Sequence, residues 1–446
     1  MDLHNKKIAV LGLGREGQAL AKYFRDERIV ADYLDEQATD HQGFPSHKVK
    51  VGPLAFDNLS RYDLIFRSPG IAPYHPKIKP YQKKLTSLTK LFFELWPGRI
   101  IGVTGTKGKS TTSSLIKEIL DGAQIKADLV GNIGNVNLLG FDQYSADSWA
   151  VMEMSSFQLV DLGVSPQIAV VLDISSDHLN YHGSIEEYQR AKLEITKHQG
   201  PDDWLVVTNS NPLRPKFMNL SKSQVVTVYN DHQGGKENTA WWDNDSLNVN
   251  IRGVKRKVFA ARDLKIIGQH NQINASMAAA VGIIVGVKPD VIARKLSEFR
   301  GMPMRLENIG TFSGVTFIND SASTNPLTVA AAIRAMTKPS IFLVGGRNKG
   351  LDYTELAQNI AGSQNVKAVI TYGEYGPTLF KLLANAAGKN IYHVAKMDEA
   401  VARACQLAES GDNVILSPGA ASFDEFDNYQ ARGQKFNQLI YDQWHK

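Results

Sequence analysis

The sequence predicts an α/β chain of three domains, each built on a parallel sheet, and three observations predict it. The length, 446 residues, suits two or three domains at about 100–200 residues each. Two glycine-rich turns each stand between an apolar strand and an amphipathic helix, one near residue 12 and one near residue 105. Beyond residue 301, apolar strands alternate with helical segments, which implies right-handed crossovers and a further parallel sheet. The expected boundaries are 1–93, 94–300 and 301–446.

Composition narrows the class. Hydrophobic residues make up 43% and charged residues 21%, a globular balance. The longest small-apolar run, Met277 to Val287, falls short of the ~20 residues that a membrane helix needs, so no span is expected. The opening Met1-Asp2-Leu3-His4-Asn5-Lys6-Lys7 lacks the apolar core of a signal peptide. A single cysteine, Cys405, cannot form an internal disulfide, which fits the reducing cytoplasm. The net charge of +5 is modest and its lysines are dispersed, so no nucleic-acid partner is expected. A monomer is the expected state.

In the first domain Lys7-Ile8-Ala9-Val10-Leu11 reads as a strand, Gly12-Leu13-Gly14-Arg15-Glu16-Gly17 as a turn, and Ala19, Leu20 and Phe24 as a helix face. Asp35 falls at a strand end about 20 residues on, as in a dinucleotide-binding unit. The physics asks only for a pyrophosphate at a helix N-terminus, so NAD, FAD and UDP compounds all remain open. Ser68-Pro69-Gly70 closes another strand, Asp63-Leu64-Ile65-Phe66. The domain is Rossmann-like in this pattern.

The second domain opens with strand Arg99-Ile100-Ile101-Gly102-Val103 and the turn Gly105-Thr106-Lys107-Gly108-Lys109-Ser110-Thr111. Backbone N–H groups of such a turn can cradle phosphates, with Lys109 on a phosphate and Ser110 facing magnesium. The usual pattern has four residues between its first glycine and Gly-Lys-Ser/Thr, whereas this turn has two. The domain is accordingly of the P-loop ATPase type. Gly131-Asn132-Ile133-Gly134 follows. Glu153 stands near the end of the apolar strand Trp149–Met154, ahead of Ser155, Ser156, Phe157 and Gln158. A carboxylate there requires a salt bridge or a cation.

After strand Ile168–Asp173 comes Asp177-His178, past a strand end where open parallel sheets bind ligands. Ser184 and Glu187 form a capping-box pattern, so a helix is expected to start near Ile185. Ile185, Tyr188, Lys192 and Ile195 then follow at spacings of three, four and three, placing Lys192 on the apolar stripe. Such a lysine either snorkels, keeping its charged head at the helix edge, or is buried as a neutral amine that can react with carbon dioxide to give a carbamate ligand. Residues 201–265 carry short strands without recognisable chemistry, and Gly268 to Asn274 lead into an alanine-rich helix.

In the third domain Gly301-Met302-Pro303 reads as a hinge, with Arg305 just beyond. Strands Val315–Ile318, Ile341–Val344, Val369–Tyr372 and Val414–Leu416 each run into a polar or glycine turn. These turns include Asn319-Asp320-Ser321, Gly345-Gly346-Arg347-Asn348-Lys349-Gly350 and Ser417-Pro418-Gly419. This domain is again Rossmann-like.

Gly105 to Thr111, Glu153-Met154-Ser155-Ser156-Phe157-Gln158, Asp177-His178 with Lys192, His270-Asn271-Gln272-Ile273-Asn274-Ala275, Arg305-Leu306-Glu307 and Asn319-Asp320-Ser321 together closely resemble the Mur ligases. These are the ATP-dependent amide-forming enzymes of cell-wall precursor synthesis. Gly12-Leu13-Gly14, Ser68-Pro69-Gly70 and Ser417 to Asp424 look most like the members that add D-glutamate to UDP-N-acetylmuramoyl-L-alanine.

The resemblance implies that the first domain binds the UDP substrate through Gly14, Arg15, Glu16, Asp35, Ser68 and Gly70, with Asn132 and Gln158 along the muramoyl part. It implies ATP contacts from Gly105, Thr106, Lys107, Gly108, Lys109, Ser110, Thr111, Asn271, Arg305 and Asp320. Thr324, Lys349, Ser422, Phe423 and Tyr429 would hold the glutamate. Two magnesium ions are implied, one on Ser110 and Glu153 and one on Glu153, His178 and a carbamylated Lys192. Lys109, Glu153, His178 and Lys192 would be catalytic, and the product forms through an acyl phosphate.

Three places depart from that pattern: Ala322 where a lysine is usual, Met304 where a histidine is, and Arg347-Asn348 before Lys349. They leave D-glutamate, L-glutamate or another amino acid open. A nicotinamide-dependent oxidoreductase built on the first glycine turn is the competing class, but it gives Lys109, Glu153, His178 and Lys192 no role.

Overall fold

The computed structural model describes residues 2–37, 43–132, 138–175, 179–229, 237–243, 245–266, 268–348, 350–387 and 390–444. The chain forms two compact units, Met1–Leu264 with Gln269–Glu298, and Lys265–Gly268 with Phe299–Lys446.

The first unit holds two sheets. Strands β1 (Ile8–Leu11), β2 (Ala31–Asp35), β3 (Val49–Val51), β4 (Leu64–Arg67) and β5 (Leu85–Thr86) form one in the order β3-β2-β1-β4-β5, all parallel. Helix α1 (Arg15–Asp26) links β1 to β2, and α2 (Leu88–Leu95) follows β5. Ser87 caps α2, its side chain accepting from Lys90 N. β1 is buried at every position, which is why it reads as a continuous apolar run without alternation.

The second sheet begins with β6 (Arg99–Thr104), α3 (Lys109–Gly122), β7 (Ala127–Gly131), β8 (Trp149–Glu153), α4 (Ser156–Leu159) and β9 (Ile168–Val171). It continues through α5 (Leu179–His182), α6 (Ile185–Lys197), β10 (Trp204–Thr208), α7 (Arg214–Leu220) and β11 (Gln224–Tyr229). Strands β12 (Thr239–Asp243), β13 (Ser246–Ile251) and β14 (Val254–Ala260), then helices α8 (Gln269–Val285) and α9 (Pro289–Glu298), complete it. The strand order is β14-β13-β12-β11-β10-β9-β6-β8-β7. It is parallel from β7 to β12, while β13 and β14 are antiparallel additions. The expected parallel sheet is thus mixed at one edge, because short connections such as Arg252-Gly253 permit only a hairpin.

Two local expectations need correction. Helix α8 already starts at Gln269, so His270 and Asn271 lie in its first turn and not in a loop before it. At α6, Ser184 accepts from Glu187 N as a cap should, but the Glu187 carboxylate is engaged by Tyr74 and Arg190, so only half of the capping box forms. Ala275 and Met277 to Val281 of α8 are buried, and their small size lets α8 lie against α3.

One buried cation ties the two sheets together. Arg67, at the end of β4, is 1% exposed. Its Nε and Nη2 donate to both oxygens of Asp161 at 2.8 and 2.9 Å, beyond α4. Nη2 also donates to Phe157 O at 3.0 Å, and Nη1 to Ile71 O at 2.6 Å and Tyr181 Oη at 2.9 Å. A guanidinium with all its donors matched can be buried; the same charge unmatched cannot.

The second unit has β15 (Glu307–Phe312), β16 (Val315–Asn319), α10 (Pro326–Ala335), β17 (Ser340–Gly345), α11 (Thr354–Gly362) and β18 (Val366–Tyr372). It ends with α12 (Gly376–Ala387), β19 (Asn390–His393), α13 (Met397–Leu407), β20 (Asn413–Gly419) and α14 (Tyr429–Trp444). Its sheet runs β15-β16-β20-β17-β18-β19, parallel except for β15. Among the described residues no helix is long and apolar enough to cross a membrane.

Replacing Arg67 by alanine strands Asp161 and the carbonyls it serves, so the Arg67→Ala chain is expected to lose about 3–5 kcal/mol of stability. Urea unfolding of the intact chain measures it.

Candidate active site

The second glycine turn folds back on the C-terminal end of the central sheet. Gly105 has φ +152°, and a Cβ there would lie 2.7 Å from Leu172 Cβ. Gly108, at φ +84°, caps α3, and a Cβ would come within 2.6 Å of Asn274 Oδ1. Both positions therefore exclude a side chain. Lys109 is the first residue of α3, and its Nζ lies back over the turn, donating to Gly105 O at 3.1 Å and Thr106 O at 3.0 Å. Lys107 is exposed and Thr111 is half-buried on α3. Ser110, one residue into the helix, donates to Glu153 Oε2 at 2.7 Å.

Glu153 ends β8 beside Val103 of β6 and is 3% exposed. Its other oxygen accepts from Asn132 Nδ2 at 3.2 Å. Lys192, 2% exposed, donates to Thr104 Oγ1 at 2.9 Å and Gly105 O at 3.2 Å, and lies 5.6 Å from the Tyr188 ring centre. One turn earlier on α6, Tyr188 Oη is 2.9 Å from Thr106 Oγ1. Helix α6 thus braces the turn at two points. On α8, Asn271 Oδ1 accepts from Asn274 Nδ2 at 2.9 Å, and Asn274 accepts from Thr112 of α3. His178 lies outside the described residues.

A cavity of about 870 Å³ opens at the first glycine turn, Gly12 to Glu16, and reaches Gly131 and Asn132. Gly14, Arg15, Glu16, Asp35, Ser68, Gly70, Asn132 and Gln158 all line it. Asp35 Oδ2 accepts from Leu13 N at 2.9 Å, which holds the first glycine turn in place at the N-terminus of α1. Asn132 both lines the cavity and donates to Glu153, so it joins the cavity to the second glycine turn through Ser110. Phe56, Ile71, Ala72, Glu36 and His75 line it too and were not anticipated. His75 Nε2 is 3.1 Å from Glu36 Oε2. These residues come from three stretches, after β2, β3 and β4, with neither periodicity nor motif, so only the fold brings them together.

Glu16, in the first turn of α1, accepts from Gln158 Nε2 at 3.1 Å. Its Oε2 is shut from solvent with no hydrogen-bond partner among the described residues. Burial pushes its carboxyl up to about 7, against the pull of Gln158, Arg67 and Arg15.

In the second unit Asp320 follows β16 and is 4% exposed. It accepts from Ser323 Oγ at 2.6 Å, Ser417 Oγ at 2.7 Å and Leu306 N at 3.1 Å, and burial pushes it up to about 6. Arg305 beside it is exposed. Thr324 is half-buried just after the same turn, Ser422 is buried, Phe423 is exposed, and Tyr429 O accepts from Ser321 Oγ at 2.8 Å. Lys349 lies outside the described residues. Arg347, where the sequence departs from the family pattern, pairs with Glu374 at 2.8 Å.

In the second unit, a residue that sequence reasoning missed is Arg432. At 1% exposure it donates to Ser321 Oγ and O and to Ala420 O, locking the Asn319-Asp320-Ser321 turn to the segment after β20. Its signal was available: Arg432, Phe436 and Ile440 share an apolar stripe on α14, and the last two are fully buried.

Known proteins match this arrangement in order along the chain. The Mur ligase MurD-like N-terminal domain matches residues 6–88, the Mur ligase middle domain 103–282, and the Mur ligase glutamate ligase domain 304–419. The solved UDP-N-acetylmuramate-alanine ligase of Thermotoga maritima shares the fold, with a TM-score of 0.57 at 17% identity over 98% of this chain and 100% of that one. The chain belongs to the Mur ligase family, with its three-domain α/β fold.

Within the family, its full-length relatives include the UDP-N-acetylmuramoylalanine–D-glutamate ligase of Alkaliphilus metalliredigens, 33% identical over 99% of each chain. The same ligase of Acetivibrio thermocellus is 34% identical over 98% of this chain and 97% of that one.

The raised Glu16 carboxyl has a consequence for stability. Between its ordinary 4.5 and about 7 the native chain holds a proton there that the unfolded chain has released. Its contribution therefore falls as pH rises through that window. Glu16→Gln is expected to stabilise the chain at pH 8 by roughly 1–2 kcal/mol relative to its effect at pH 4. Denaturant titrations at the two pH values measure the difference.

Proposed function

We propose that this chain joins D-glutamate to UDP-N-acetylmuramoyl-L-alanine, using ATP to make an acyl phosphate and then an amide. The observation that carries the reading is the path from Ser110 through Glu153 to Asn132, which connects a phosphate turn to a cavity large enough for a nucleotide-linked substrate. The whole-length relationship to D-glutamate ligases supports the choice of amino acid. We assign residues 1–93 to a Rossmann-like UDP-substrate domain, 94–300 to the ATP domain and 301–446 to a Rossmann-like amino-acid domain.

The substrate carboxylate is a poor acceptor for an amine until its oxygen carries a phosphoryl group. Lys109 and the turn N–H groups hold the β and γ phosphates, with Gly105, Thr106, Lys107, Gly108 and Thr111 shaping the cradle. Asn271, Arg305 and Asp320 complete the ATP contacts. In the cavity Gly14, Arg15, Glu16, Asp35, Ser68 and Gly70 bind the UDP part, while Asn132, Gln158 and His178 lie along the muramoyl part. Thr324, Lys349, Ser422 and Phe423 hold glutamate, with Tyr429 near it. The amine attacks, a tetrahedral intermediate forms, and phosphate leaves.

The residues present fit magnesium. Glu153 is a buried carboxylate whose described partners are a hydroxyl and an amide, with no cation among them, and its oxygen donors suit a hard ion. Ser110 and Glu153 would hold one ion, and Glu153, His178 and a carbamylated Lys192 a second. Bound there, magnesium would supply positive charge against the transferring phosphoryl. The Lys192 amine, buried against the turn, would gain its carbamate by adding to carbon dioxide with loss of a proton. ATP and a nucleotide-linked precursor are cytoplasmic compounds, and we assign the chain to the cytoplasm accordingly.

ADP release with UDP-N-acetylmuramoyl-L-alanine, run in parallel with D-glutamate and L-glutamate, tests the function. Release is expected with D-glutamate; release with L-glutamate alone overturns the stereochemical reading, and release without any amino acid overturns ligation. Lys192→Ala should lower the rate about 100-fold or more, with partial rescue by short carboxylic acids. An unchanged rate refutes the carbamate.

A further inference from the structure

The proposed UDP-sugar cavity carries a feature that its occupant alone does not explain. A nucleoside diphosphate is strongly anionic, and the N-terminus of α1 is a favourable place for it. Yet the first turn of that helix contributes Glu16, a carboxyl on the cavity wall. An ionised Glu16 opposes the ligand that the helix end attracts.

The hydrogen bonds around Glu16 show how this conflict is resolved. Gln158 Oε1 accepts from Ser155 N and Ser155 Oγ, each at 3.0 Å, as part of the cap of α4. That fixes the amide so that its Nε2 donates to Glu16 Oε1. A proton on Glu16 therefore resides on Oε2, the oxygen that is cut off from solvent and unpartnered among the described residues. The charged groups facing it are Arg67 of β4, Arg15 of α1 and Asp161 beyond α4, and Asp35, Glu36 and His75 also line the cavity. Arg67 is already spent on Asp161, with two hydrogen bonds, and Arg15 is exposed. Neither neutralises Glu16 as an ion-pair partner would.

We propose that Glu16 binds one proton from water as the UDP-sugar substrate enters and remains a neutral acid in the complex, so that it is a recognition residue for the ligand's negative charge. The inference rests on the reading of this cavity as the UDP-substrate site. Burial already holds the carboxyl near 7, and an anion in the cavity raises it further. Affinity is then full below neutral pH and weakens above it, by about tenfold for each unit that the ligand adds to the carboxyl's pKa.

Calorimetric titration of the full chain with UDP-N-acetylmuramoyl-L-alanine tests this between pH 6 and 8.5, in buffers of different ionisation enthalpy. Neither the diphosphate diester nor the alanyl carboxylate titrates in that range. Wild-type chain should take up as much as one proton per ligand near pH 8 and bind more weakly there than at pH 6. Glu16→Gln should abolish both the uptake and the pH slope, and His75→Gln should leave them. Absence of uptake in the wild type, or a slope that survives in Glu16→Gln and vanishes in His75→Gln, overturns the assignment to Glu16. Absence of binding at every pH overturns the cavity reading itself. Should Glu16→Gln misfold, Glu16→Ala answers the same question.

Discussion

The buried guanidinium of Arg67 is the constraint on which the first unit depends. A charge removed from water must meet hydrogen-bonding partners, and Arg67 meets them on both sides of a boundary: Ser68, Pro69 and Ile71 of the loop after β4 on one, Asp161, Phe157 and Tyr181 on the other. The loop after β4 and helix α4 are the two walls that carry Ser68, Gly70 and Gln158 into the cavity. Their mutual position follows from one side chain. Hydrophobic contact alone is non-directional and does not set such a register.

A second set of polar contacts connects the cavity to the phosphate turn. Gly105 and Gly108 let the backbone fold tightly enough for Lys109 to lie over its own turn, and Tyr188 and Lys192 of α6 hold that turn from the side. Glu153 sits between Ser110 and Asn132, so the second glycine turn and the cavity wall share one buried carboxylate. Phosphoryl transfer to a carboxylate is mostly positioning, and under the proposed function this shared carboxylate, on β8 beside β6, would fix the spacing of the two sites.

Much of this was legible before any coordinates. The two glycine turns were visible because strand, turn and helix follow one another within about 20 residues, where backbone physics is local. The stripe that marked Lys192 as buried was visible for the same reason. Other features were not. The half-formed capping box at Glu187 reflects competition from Tyr74, which is distant in sequence. The antiparallel β13 and β14 extend a parallel sheet because short hairpin connections outweigh the pattern before them. Arg432 shows a signal that was present but unread, a charged residue on an apolar stripe, as informative on α14 as on α6.

By itself the sequence determined the strands, the glycine turns, the order of the family motifs and hence the class of chemistry. These depend on local periodicity and on residue types with few physical uses. The tertiary structure alone decided which side chains meet across long separations: Arg67 with Asp161, Ser110 with Glu153, Glu16 with Gln158, Arg432 with Ser321. It alone decided that Glu16 lies where burial makes ionisation costly. The physical reason is that desolvation and hydrogen-bond matching are properties of a location in the folded chain, and no residue carries its location in its type.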